Sequence, residues 1–235
     1  MDHEHSLKRK PPGEPYTCSG CKELGFGSSY HCENKNCSYV LHGECAYPDP
    51  HARHPFFRKS CFDFLRKPPG YKRRYCNACG GDVLGFVYHC SKTGYDLHPC
   101  CLKLQDSISD GDVKLQLYRK SRSKCVKCKH KHVVGNIQGW SYYDGNSSYH
   151  VSCFKALILD NWRRGCFSQG HRSTTNLATT SGGATTQLTI VGRRSGRIRS
   201  MVAKMAVVAF KLIFSAIFGN PISFFTTILE VIASN

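Results

Sequence analysis

Three Cys-x-x-Cys pairs are each answered downstream by a His-x-x-Cys pair: Cys18/Cys21 with His42/Cys45, Cys76/Cys79 with His98/Cys101, and Cys125/Cys128 with His150/Cys153. Each set offers three thiolates and one imidazole, the donors of a closed tetrahedral structural zinc site. Two residues between ligands let one tight turn aim both side chains at one ion. Units of about 40–50 residues cannot bury enough apolar surface to fold without a staple. Zinc is such a staple, contributing about 10–16 kcal/mol per structural site in small peptides.

Two other uses of cysteine fit less well. A disulfide framework suits secreted chains of under about 100 residues, whereas this sequence has 235 residues and 15 cysteines. Its first residues, Met1 to Lys8, show no apolar stretch of a secretory signal. An intracellular site, cytoplasm or nucleus, is therefore expected. Thioredoxin-like redox chemistry needs a strand–helix frame around the nucleophilic cysteine, and no such frame is readable here.

The formal charge is +17. A filled site of three thiolates and one imidazole carries a net charge of −1, so part of the surplus offsets thiolates. The remainder favours anionic partners without choosing among them.

The first set extends to His5-x12-Cys18-x2-Cys21-x10-Cys32-x4-Cys37-x4-His42-x2-Cys45, with His51 and His54 following. Tyr30-His31-Cys32 and Tyr39-Val40-Leu41-His42-Gly43-Glu44-Cys45 return in the second unit as Tyr88-His89-Cys90 and Tyr95-Asp96-Leu97-His98-Pro99-Cys100-Cys101. On these strings, residues 5–165 resemble the C-one zinc domain, the phorbol-ester and diacylglycerol type. More closely they resemble its divergent plant relatives, the DC-one cysteine/histidine-rich family. The resemblance implies small zinc-stabilised α+β modules in tandem, each of short antiparallel strands and a brief helix. It also implies two interleaved sites in a complete module. Site A would be Cys18, Cys21, His42 and Cys45. Site B would be His5, Cys32, Cys37 and a late ligand, His51 or His54, because Arg53 stands where the family pattern has its last cysteine.

The division expected is a first module over 1–53, a second over 54–104 and a half-module over 105–167. In the second module Thr93 occupies the place of Cys37, so its second site is degenerate. His54, Cys61 and Cys100 are the groups that could complete a site with Cys90; otherwise these cysteines are small buried hydrophobes. The third set has no cysteine between Cys128 and Cys153. Three to four zinc ions per chain are expected. The modules are read as beads on a string, so that His42→Ala would unfold the first and leave the third intact.

Residues 168–200 are rich in Ser, Thr and Gly and hold no acid; this reads as a disordered basic linker. Residues 201–218 and 222–233 are apolar around Gly219-Asn220-Pro221. The break argues for a helical hairpin lying on a membrane or docking on protein, rather than a single span.

No phosphate loop, nucleophile elbow or framed carboxylate pair is present, so a non-enzymatic interaction or signalling module with a protein partner is expected. One alternative is a nucleic-acid binder. Arg119, Lys120, Arg122, Lys124, Lys127, Lys129 and Lys131 crowd the third knuckle, and Trp140, Tyr142 and Tyr143, read first as an aromatic strand that replaces a missing zinc core, could instead stack on bases. Another is a regulator that binds a membrane, or a second copy, through the tail. A third is a thiol–disulfide redox protein. Diacylglycerol is not expected as a ligand, because the loops of ten residues from Cys21 to Cys32 and from Cys79 to Cys90 are short for that type.

Overall fold

The computed structural model describes residues 3–110 and 113–163. The chain runs β1 (Leu7–Lys10), β2 (Tyr16–Thr17), β3 (Leu24–Gly25), β4 (Ser29–Cys32), β5 (Val40–His42) and α1 (Gly43–Ala46). It continues with β6 (His51–Ala52), a 3-10 turn at Pro55–Phe57, β7 (Phe62–Leu65), β8 (Val87–Cys90), β9 (Tyr95–Leu97) and α2 (Pro99–Leu102). The last part is β10 (Ser107–Asp110), β11 (Val113–Tyr118), β12 (Ser141–Tyr143), β13 (Ser148–His150) and α3 (Val151–Arg163).

One unit is built three times. An antiparallel three-stranded sheet forms as β1-β4-β5, again as β7-β8-β9, and again as β11-β12-β13. The Cys-x-x-Cys knuckle lies between its first and second strands. The ligand histidine ends or follows the third strand, and the helix after it brings the last cysteine. The knuckles share one backbone solution. Residue two after the second cysteine accepts from the first cysteine's N–H: Cys18 N to Glu23 O at 2.9 Å, Cys76 N to Gly81 O at 2.8 Å and Cys125 N to His130 O at 2.9 Å. The intervening residue takes a left-handed conformation, at φ 66° for Lys22, 74° for Gly80 and 62° for Lys129. Only Gly80 adopts that region without a steric cost.

The registers align the modules residue by residue. Leu7 lies opposite Cys32, Asp63 opposite His89, and Gln116 opposite Tyr143. Leu7, Phe62 and Leu115 are therefore equivalent, as are Cys32, Cys90 and Asp144. Sheets two and three each carry an added strand on the outer edge, β6 beside β7 and β10 beside β11. His51–Ala52, assigned from sequence to the first module, thus belongs to the second module's sheet.

The modules are not independent beads. The carbonyl of Gly20, third residue of the first knuckle, accepts from Phe86 N at 3.0 Å, and that of Ala78, third residue of the second, accepts from Trp140 N at 2.6 Å. Phe86 and Trp140 each stand one residue before the second strand of their own module. A Cβ on Gly20 would sit 2.5 Å from the Phe86 ring, so the first knuckle has room only for glycine there. In the third knuckle the same position is Lys127, which is exposed, and Ser28 holds the aromatic position in the first module. Trp140 is fully buried and packs on His54 and Phe56 of the second module. One apolar cluster accordingly runs from Phe57 and Phe62 through Val87 and Leu97 to Leu115, Trp140 and Phe154.

Among the described residues no helix is long and apolar enough to cross a membrane. The expected linker at 168–200 and apolar hairpin at 201–235 lie outside the described residues.

Candidate metal centres

Among the described residues four clusters bring metal-ligating atoms within 4.8 Å of one another. Three are the Cys-x-x-Cys/His-x-x-Cys sets. Cys18, Cys21, His42 and Cys45 are all buried, as are Cys76, Cys79, His98 and Cys101. Cys125 and His150 are buried, while Cys128 and Cys153 are half-buried. Tetrahedral Zn–S and Zn–N bonds imply sulfur-to-nitrogen edges of about 3.6 Å. The edges here are 3.3 Å (Cys21 to His42 Nδ1), 3.4 Å (Cys79 to His98 Nδ1), 3.4 Å (Cys128 to His150 Nδ1) and 3.9 Å (Cys45 to His42 and Cys153 to His150). The donor sets fit zinc in both chemistry and spacing. Each histidine offers Nδ1; in two of them the other nitrogen meets a knuckle carbonyl, His98 Nε2 with Asp82 O at 3.0 Å and His150 Nε2 with Lys131 O at 3.3 Å. Such an outer contact fixes the ring and its tautomer. Backbone N–H groups also donate to the sulfurs, from His98 to Cys76 and from His150 to Cys125, both at 3.4 Å.

The thiols of a set hold their protons unequally. Hydrogen bonds from Cys21 and Cys45 pull Cys18 far below the ordinary thiol value, and Cys45, bonded to Cys18, is pushed up. In the third set the hydrogen bond from Cys153 lowers Cys125 to about 2. Burial presses His42 down, but the Cys18 thiolate outweighs it and the ring ends at about 8. A bound zinc would replace the shared protons with one divalent charge.

The fourth cluster is His3, His5, Cys32 and Cys37. His3 Nε2 lies 3.3 Å from Cys37 Sγ, and its ring stacks on Tyr39 at 4.0 Å. His5 is exposed and the other three ligands are half-buried. The late ligands expected for this site are elsewhere. His51 Nδ1 pairs with Asp63 at 2.7 Å across the added strand. His54 is buried, accepts from Phe56 N at 3.2 Å at the start of the 3-10 turn, and lies against Trp140. The chain turns into the second sheet before either could return, so the fourth ligand comes from upstream. His3-x-His5 was the available signal.

The second module has no ligand set at the equivalent place. Cys90 is buried there with hydroxyls: Ser60, in the position of His5, meets Thr93 at 3.2 Å. Burial raises the Cys90 thiol, but hydrogen bonds from Thr93 and Ser60 outweigh it and leave it lowered. Cys61 is exposed, and neither it, His54 nor Cys100 joins Cys90. In the third module Asp144 takes the position of Cys32. Its carboxylate accepts from Asn146 N at 2.8 Å, from Ser147 N at 2.7 Å and from Tyr149 OH at 3.1 Å, closing the turn without metal.

Cys100 stands between two centres rather than in either. Lys155, buried on α3, reaches it at 3.8 Å, Cys101 at 4.0 Å and Glu23 of the first knuckle at 2.9 Å. Burial alone would press the ammonium towards neutrality, but the sulfurs of Cys100 and Cys101 and the Glu23 carboxylate hold its pKa well above the ordinary value. One cation from the third module thus faces the thiolate-rich centres of the other two.

The basic residues divide. Arg119 donates to Phe56 O at 3.0 Å and lies over the Phe57 ring at 4.3 Å; it joins modules. Arg122 covers Tyr118 at 4.6 Å and Lys127 pairs with Asp160 at 3.4 Å. Lys120, Lys124, Lys129 and Lys131 are exposed. Trp140 and Tyr142 are fully buried and fill the core in place of ligands, as their aromatic strand suggests; neither is free to stack on a base. Tyr143 is half-buried and its hydroxyl donates to Gly145 O.

No curated protein and no solved structure matches the chain. Residues 2–46 match the family model of the C1 domain, the C-one type. That match and the four clusters together fit a zinc-binding chain whose first module is a C1-type zinc finger, with room for three to four zinc ions.

Proposed function

We propose that this chain is a non-enzymatic interaction module of the DC-one kind, in which zinc holds a recognition surface for a protein partner in signalling. The supporting observation is closure. Each Cys3His set contributes four protein ligands, and a catalytic zinc needs a position open to water or substrate. Buried, hydrogen-bonded sulfurs also weigh against thiol–disulfide chemistry. Substitution with cobalt tests closure directly. Four-coordinate spectra unchanged by added cyanide or azide are expected, and a spectrum shifted by either anion would reopen the enzymatic reading. Proximity labelling by the full chain and by His98→Ala tests recognition. Partners should be lost with the zinc, and an unchanged partner set would defeat the proposal.

A second reading, nucleic-acid binding, draws on the four exposed lysines of the third knuckle. It predicts a steep log–log dependence of affinity on salt. Membrane binding or self-association through residues 201–235 stays a separate proposal, tested by liposome pelleting of the full chain.

A further inference from the structure

The second and third modules use the outer edge of their first strand in the same way. Phe64 N donates to Pro50 O at 3.0 Å and Leu117 N to Asp106 O at 2.7 Å. Tyr88 OH donates to Asp49 O at 2.8 Å and Tyr142 OH to Gln105 O at 2.9 Å. Each module thereby grips an extended segment by one backbone N–H and one tyrosine hydroxyl, and the segment then pairs as β6 or β10. By register, Arg9 is the equivalent of Phe64 and Leu117, and Tyr30 of Tyr88 and Tyr142. Glu33 N donates inward to Ser6 O at 3.0 Å, so by antiparallel alternation the N–H and C=O of Leu7 and Arg9 point outward. Among the described residues no strand lies beyond β1 and no backbone carbonyl meets Arg9 N–H. Beside Arg9 a cavity of about 410 Å³ is lined by Tyr16, Ser28, Tyr30, His42, Glu44 and Lys103.

We propose that the open edge of β1 binds an extended acidic segment of a partner protein, added antiparallel as a fourth strand. This rests on the interaction reading above and names its partner chemistry. Charge selects the occupant. In the second module the added strand places His51 opposite Asp63. In the first, Lys8 stands at the Asp63 position with Arg9 and Lys10 beyond it, all exposed, so the complementary segment is acidic there. Opposite Leu7 it carries an apolar residue, as Ala52 does opposite Phe62 and Ile108 opposite Leu115. The chain's own 168–200 holds no acid and lacks that complementarity. Lysine on an edge also deters indiscriminate pairing, and here it would admit only a strand of the opposite sign. Main-chain bonds would give affinity and side chains selectivity.

The probe is a synthetic peptide, Gly-Glu-Asp-Glu-Ile-Thr-Val, titrated into the zinc-loaded full chain. Binding should protect Leu7 and Arg9 amides from hydrogen exchange, and a peptide with Lys in place of its acids should not bind. Arg9→Ala removes the charge and the guanidinium's bond to Ser28 Oγ but keeps the backbone donor, and should weaken binding about threefold, as an exposed ion pair does. Arg9→Pro also removes the donor and should weaken it at least a further tenfold. Tyr30→Phe should cost about three- to tenfold, the worth of one hydrogen bond. Zinc content is read in parallel. Loss of zinc from the parent chain defeats the zinc-built reading; four retained zincs with no peptide binding defeats this inference alone. Equal effects of Arg9→Ala and Arg9→Pro, with none from Tyr30→Phe, would reduce the edge to a basic patch and overturn it. So would Arg9 and Leu7 amides already protected in the free chain.

Discussion

The two kinds of ligand position in this molecule have different fates. The knuckle set is intact in all three modules, whereas its companion is a ligand set in the first, a Ser60–Thr93–Cys90 hydroxyl–thiol cluster in the second and the Asp144 turn in the third. The knuckle set ties the two ends of the sheet to the helix and supplies the carbonyl on which the next module docks. Its companion only closes the far turn of one sheet. Hydrogen bonds can replace the second job but not the first.

Breaking this contrast gives the largest effect. His98→Ala should release the second module's zinc, remove a contribution of about 10 kcal/mol or more, and unpack both neighbours, seen as loss of near-ultraviolet circular dichroism from Trp140. Cys32→Ser should release one zinc and leave that signal unchanged. If both substitutions act locally, the docking of Phe86 on Gly20 and Trp140 on Ala78 carries little energy.

Lys155→Met comes next. It leaves Glu23 and the sulfurs of Cys100 and Cys101 without their buried cation, and a cost of about 3–5 kcal/mol is expected, measured by chemical denaturation of the zinc-loaded chain. A smaller effect would mean that solvent reaches the junction. The same centres should release zinc as the pH falls, because protons compete for thiolate ligands. The half-exposed His3/His5/Cys32/Cys37 site should empty first with a chelator, followed by the third module and then the two fully buried sets. A reversed order in native mass spectra would sever burial from retention.

Restoring the lost site sharpens the comparison. Ser60→His with Thr93→Cys would place one imidazole and two thiols around the Cys90 position, and one additional zinc equivalent per chain is expected. Unchanged stoichiometry would show that the sheet has closed around its hydroxyls. The smallest effect belongs to the knuckle turn. Lys22→Gly relieves a left-handed residue and should stabilise the chain by about 1 kcal/mol, whereas Gly80→Ala should destabilise it.

What could be read from sequence follows range. The knuckle sets are legible because Cys-x-x-Cys and His-x-x-Cys each fit a single turn and recur three times. The companion site needs strand register. His51 and His54 stand at plausible spacing for the site, but β6 turns that segment into the next sheet, which no local spacing announces, and His3 takes the place. Ser60 and Asp144 were invisible for the same reason, since only pairing of β7 with β8 and β11 with β12 makes them counterparts of His5 and Cys32. That Trp140 belongs to a core is legible from the missing ligands around it, but its partner, Ala78 in another module, is announced by no local spacing.

The third residue of the knuckles is Gly, Ala and then Lys, while the aromatic that meets it is replaced by Ser28 in the first module. Copies of this chain that met end to end would present a long charged side chain where docking meets glycine or alanine, and a hydroxyl where it meets a ring. Repeating surfaces of this kind propagate into filaments when top and bottom match. Among the described residues neither end of the stack matches the other.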